Sequence, residues 1–71
     1  MRTRNQRPEM ERRAYSVSEI ARRHGISERT VWRDIKRGAL QSVKLGGARR
    51  VLVEDEAAWL DAARVRNEEA A

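Results

Sequence analysis

Regular apolar spacing begins at Tyr15. Upstream, residues 1–13 (MRTRNQRPEMERR) show no periodicity, carry five Arg and the chain's only Pro, and predict a flexible basic arm. That arm either follows a polyanion or is simply a disordered start. Val17, Ile20 and Ala21 then recur at helical spacing, which predicts a short helix over 17–24. Ser16 and Glu19 have the S-x-x-E form of a capping box, in which each side chain accepts from the other's backbone amide. Gly25 supplies the left-handed residue that ends this helix. Ile26 turns inward, Ser27 caps the next segment, and a second helix over 28–37 stops at Gly38. Counting about 100° per residue, Val31 and Ile35 form its core stripe, with Trp32 at the edge.

Beyond Gly38 the period changes. Leu40–Leu45 and Val51–Val53 flank Gly46-Gly47-Ala48-Arg49-Arg50, which predicts a hairpin with Arg49 and Arg50 at its tip and Lys44 across from them. Residues 54–67 predict a last helix. Glu54, Asp55 and Glu56 fill its first turn, where the helix dipole favours acids. Ala58, Trp59, Ala62 and Ala63 share one side, expected to cover the hairpin and first helix. Ala57, Leu60 and Val65 fall elsewhere. Their apolar surface is either a by-product of Ala as a helix former or a contact with another protein or another copy. The expected organisation is thus the arm over 1–13, one domain over 14–66 and a frayed tail over 67–71.

Two short helices joined through His24-Gly25-Ile26-Ser27 have the sequence form of a helix-turn-helix, or of a plain αα-hairpin. The far face of the second helix weighs toward the former. Arg29, Arg33, Lys36 and Arg37 lie there beside Thr30, while the helix's acids, Glu28 and Asp34, sit off its centre. A solvated face usually mixes signs to form i,i+4 pairs. An unneutralised row of cations suits a groove lined with phosphates and guanine edges. Lys44, Arg49 and Arg50 on the hairpin would extend that surface as a wing. The alternative is that they blunt an edge strand.

The charge of the whole chain sharpens this. Sixteen Lys+Arg against 11 Asp+Glu give +5, and 14 of the cations are Arg. Biased base composition explains much Arg and Ala, but not their distribution. Residues 1–53 hold 14 basic and 5 acidic residues, and residues 54–71 hold 2 and 6. One part therefore faces a polyanion and another does not.

Catalysis finds no support in the residues. A chain of 71 residues buries a small core and forms no deep cleft. Cys is absent, which removes disulfides and thiolate metal sites. His24 is the only His and is expected at the surface or as a cap. Gly46-Gly47 lacks the following Lys-Ser/Thr of a phosphate-cradling loop, and the acids of 54–56 read as a helix start. No enzyme activity, metal or cofactor is expected. No apolar run approaches about 18 residues and no signal sequence is visible, so the expected place is the cytoplasm, on DNA.

Residues 15–64, YSVSEIARRHGISERTVWRDIKRGALQSVKLGGARRVLVEDEAAWLDAAR, resemble the excisionase family of winged helix-turn-helix DNA-binding proteins and, more widely, MerR-like DNA-binding domains. The SVSEIA opening, GIS turn, TVWRDIKRG helix, VKLGGARRV hairpin and EDEAAWL closing helix carry the likeness. One position departs, with Glu56 where the family has a Leu. The implied fold is α+β and mostly helical, a winged helix-turn-helix with a two-stranded β-hairpin wing and a C-terminal helix. The resemblance places Arg29, Thr30, Arg33 and Lys36 at major-groove positions, and Arg49 and Arg50 in a wing that enters the neighbouring minor groove. It also implies the role of a phage or prophage excisionase, or recombination directionality factor. Such proteins bind adjacent sites on double-stranded DNA, bend it and help a tyrosine integrase run the excisive reaction. Copies would touch through the closing helix. The long dimerisation helix and effector domain of MerR-type regulators do not follow Ala71, which favours this role over a small MerR-like repressor. A third reading is an adaptor whose cations face an acidic protein.

Overall fold

Ser16 sets the point at which the chain turns from strand to helix. In the computed structural model, which describes residues 12–70, its hydroxyl accepts from the Glu19 amide at 3.1 Å and its own amide donates to Glu19 Oε1 at 2.8 Å. Both halves of the expected capping box are therefore made. They separate strand β1 (Ala14–Ser16) from helix α1 (Val17–His24). Arg12 adds a second donor to the Glu19 carboxylate, at 2.8 Å. The Ser16 amide, then the Arg12 guanidinium, hold the Glu19 carboxyl down at about 2, against an ordinary 4.5. A carboxylate depressed on folding stabilises above its unfolded value and loses that contribution as pH falls through the folded one. Stability should therefore decline between pH 4.5 and about 2. Glu19→Gln should flatten that part of the profile, as urea melts at stepped pH would read. An unchanged profile would remove Glu19 as a source of acid sensitivity.

Gly25 closes α1 in the left-handed conformation, φ 65°, and Ile26 N–H reaches back to Ala21 O at 3.0 Å. Ser27 then accepts from Thr30 N–H at 3.1 Å and opens helix α2 (Glu28–Lys36). Past α2 the amides of Ala39 and Leu40 both return to Asp34 O. That bend drives Leu40 into the core, where it is buried, so it does not start the hairpin as expected.

The sheet has three antiparallel strands in the order β1-β3-β2, with β2 at Val43–Leu45 and β3 at Ala48–Leu52. β1 was not expected. It pairs Ala14 with Leu52, Tyr15 with Val51 and Ser16 with Arg50. Arg13 O accepts from Val53 N–H at 3.0 Å. Arg12 and Arg13, expected in the arm, are thus tied to the domain; the rest of the arm, residues 1–11, lies outside the described residues. Gly46 and Gly47, at φ 57° and 87°, form the two-residue turn between β2 and β3. A tight turn with both central residues at positive φ matches the strands' twist and suits glycine. It shortens the loop relative to the expectation: Arg49 and Arg50 lie within β3, not at the tip.

Helix α3 (Val53–Ala70) begins one residue early, at a position expected in the hairpin, and continues through Ala70, so the frayed tail expected from 67 is helical to that point. Its inward side differs from the expected one. Glu56 is buried, Asp55, Trp59 and Ala63 are half-buried, and Ala58 and Ala62 are exposed. Val17, Ile20, Ala21, Val31, Leu40 and Val51 make the core, with Tyr15, Ile26, Ile35 and Trp59 packed against it. The result is a small α+β fold of three helices and one three-stranded antiparallel sheet, consistent with a winged helix-turn-helix.

Candidate nucleic-acid interface

The cations of α2 point away from the core. Arg29, Arg33, Lys36 and Arg37 are all exposed, and Thr30 is half-buried with its hydroxyl 3.0 Å from Ser27 Oγ. Their electrostatic settings differ. Arg29 and Lys36 have no acidic partner among the described residues, whereas Arg37 Nη2 lies 3.1 Å from Asp34 Oδ1 and Arg33 Nε lies 3.7 Å from it. Asp34 is therefore more than a bystander on the helix. Its carboxylate is buried, and Oδ2 accepts from Trp59 Nε1–H of α3 at 3.0 Å. Oδ1 receives no hydrogen bond of good geometry from either guanidinium, so both stay available to another anion. One carboxylate thus fixes α3 to α2 while partly neutralising two cations.

The hairpin arranges its charges by strand alternation. Adjacent strand residues face opposite sides of a sheet, so Arg49 shares the side of buried Val51, and Arg50 projects from the other. Lys44 pairs directly with Arg49, and Val43 with Arg50. The two wing arginines therefore separate, and Lys44 and Arg49 stand together as directly opposed like charges, an arrangement that costs hairpin stability. No acidic side chain among the described residues pairs with either. Arg49 also meets α2. Together with Trp32, Ile35 and Lys36 it lines a cleft of about 300 Å³. Trp32, expected at the edge of the core, is 45% exposed there.

A second cluster supports the site from behind. Glu56, 4% exposed, accepts from Arg23 Nε at 3.1 Å and lies 2.6 Å from His24 Nε2. Burial pushes its carboxyl up, and the hydrogen bonds from His24 and Arg23 outweigh this and hold it below the ordinary carboxylate value. His24, expected at the surface or as a cap, instead joins α1 to α3, its ring edge-on to Trp59 at 5.7 Å between centroids. The Arg23 guanidinium also lies over the Tyr15 ring at 4.3 Å. Glu56 was read as part of an acidic first turn and as a departure from the resembled family; its burial against Arg23 and His24 was not expected. The available signal was an acid at helical spacing from Trp59 and Ala63, where an apolar residue would fit.

Among the described residues no group of three His, Cys, Asp or Glu side chains could hold a metal ion. No helix among them is long and apolar enough to cross a membrane. No curated protein and no solved structure matches the chain. Residues 14–64, which run from the first residue of β1 into α3, match the helix-turn-helix domain family. The chain belongs to that family, a DNA-binding domain found in excisionase-like proteins.

Proposed function

We propose that the chain is an excisionase-type architectural protein. It binds double-stranded DNA beside a recombination core, bends it, and directs a tyrosine integrase toward excision without itself performing chemistry. The observation that carries this reading is the continuity of unpaired cations from α2 to the wing, where Lys36 and Arg49 line one cleft. α2 enters the major groove with Arg29, Thr30, Arg33, Lys36 and Arg37, and the hairpin brings Lys44, Arg49 and Arg50 to the adjoining minor groove. A single small domain has a limited footprint and modest single-site affinity. Bending costs on the order of 1–6 kcal/mol and needs further contacts to offset it. Neighbouring copies supply them through α3, whose Leu60 and Val65 are exposed.

The test is a gel-shift titration on a duplex spanning the arms of the host's phage attachment site, beside a scrambled duplex. A ladder of cooperative shifts on the attachment site alone supports the proposal. A single shift on a palindromic promoter fragment, as a dimeric MerR-like repressor would give, overturns the recombination role. Undetectable binding to any duplex at low salt would move the cations' partner to an acidic protein.

The alternation along β3 gives this reading a specific outcome. Arg49→Ala should weaken binding to all sequences and lower the slope of log K against log salt by about 0.9. Arg50→Ala should do so less, because it leaves the sheet face beside α2 intact. Equal losses in anisotropy titrations over a salt series would remove that distinction.

A further inference from the structure

We infer that the cleft between α2 and the wing is the seat of one sugar–phosphate strand of duplex DNA, with Trp32 packing on its deoxyribose. This rests on the DNA-binding reading above and adds to it a specific site. Adjacent major and minor grooves are separated by a single backbone strand. A helix in one groove and a hairpin in the next must therefore straddle that strand, and whatever lines the seam between them must meet it. The seam here is built for such a ligand. Its volume is about 300 Å³, and it is lined by Trp32, Ile35, Lys36 and Arg49. Trp32 and Ile35 offer apolar surface suited to a sugar, which has no charge to satisfy. Lys36 from α2 and Arg49 from β3 offer cations suited to phosphates. Neither cation has an acidic partner among the described residues.

The large exposed indole is otherwise hard to account for. It lies on the helix that carries the cations, beside two of them, and its 45% exposure leaves apolar surface in water. A purely apolar partner would leave Lys36 and Arg49 desolvated and unpaired, at high cost. A polyanion with an apolar sugar between its charges satisfies both.

The full chain labelled with fluorotryptophan tests this, with its two resonances assigned through Trp32→Phe and a random-sequence duplex as the probe. DNA should move the Trp32 resonance and leave that of Trp59, which is held by Asp34, nearly in place. Trp32→Ala should lower affinity by about fivefold to tenfold with an unchanged salt slope, since the lost contact is apolar. Lys36→Gln and Arg49→Gln should each reduce the slope by about 0.9. Binding of DNA with an unmoved Trp32 resonance, or with undiminished affinity in Trp32→Ala, overturns the strand seat while leaving DNA binding in place. The same Trp32 shift produced by polyglutamate would overturn it too, by making the cleft a general acid-binding groove. Absence of DNA binding by the unaltered chain at low salt removes both readings. If Trp32→Ala fails to fold, the resonance of the unaltered protein still decides.

Discussion

Replacing Arg33 with alanine lowers affinity for the preferred DNA site by about tenfold to a hundredfold and relaxes preference at one base pair. Arg33 lies mid-helix on the cationic face, and its side chain is 64% exposed. At 3.7 Å from Asp34 Oδ1 it is only loosely held, so the guanidinium remains able to fork onto a guanine edge. Arg37 stands closer to the same carboxylate, at 3.1 Å, and its replacement should cost less. The measurement is anisotropy against a site selected from a random library and against its single-base variants. A loss of the same size on every sequence would place Arg33 on phosphate and take specificity away from it.

The Glu56 cluster gives the largest expected effect on stability, and the direction is counter to simple burial. Removing both donors, in Arg23→Ala/His24→Ala, strands a buried carboxylate and should cost about 3 kcal/mol or more. That is a large fraction of the stability of a domain this size. Removing the carboxylate itself, in Glu56→Leu, frees Arg23 and His24 to turn to water and fills the site with an apolar side chain. Its stability should be unchanged or raised by about 1 kcal/mol. The pH dependence separates the cases further. The Glu56 carboxyl is depressed in the fold, so its contribution is present above the ordinary carboxylate value and is lost as pH falls through the folded one. Glu56→Leu should be less sensitive to acid. Urea melts at pH 7 and in acid check both points; a Glu56→Leu variant less stable than the double variant would sink the argument.

What could be read from the sequence was what local chemistry decides. The capping box at Ser16 and Glu19, the left-handed Gly25, the cap at Ser27 and the paired glycines of the hairpin each act within a few residues. α1, α2 and the hairpin follow from them. β1 was illegible because three residues carry no periodicity, and its partner β3 lies far along the chain. Trp32 was misplaced because helical spacing gives its angle from Val31 but not whether the wing covers it. The α3 face was misread for a similar reason. Ala58 and Ala62 looked apolar and Glu56 looked polar, yet burial followed the partners that Arg23 and His24 offer. The hairpin arginines were put at the tip because the loop was read as longer than Gly46 and Gly47. Of the expected interface residues, Arg29, Arg33 and Lys36 are exposed on α2 and Arg37 just past its end, Thr30 is half-buried, Lys44 is exposed on β2, and Arg49 and Arg50 are divided between the two sides of the sheet.

That division carries a counting rule for insertions and deletions. Because pairing with β1 pins Arg50 and Val51, adding one residue between the turn and Arg49 would leave the two arginines where they are and slip β2 by one position, turning Lys44 and Val43 toward different neighbours, whereas adding one to each arm beside the turn would lengthen the hairpin and preserve every pairing below it. Length variation in this segment should therefore be tolerated in matched pairs and penalised singly, whatever residues are added.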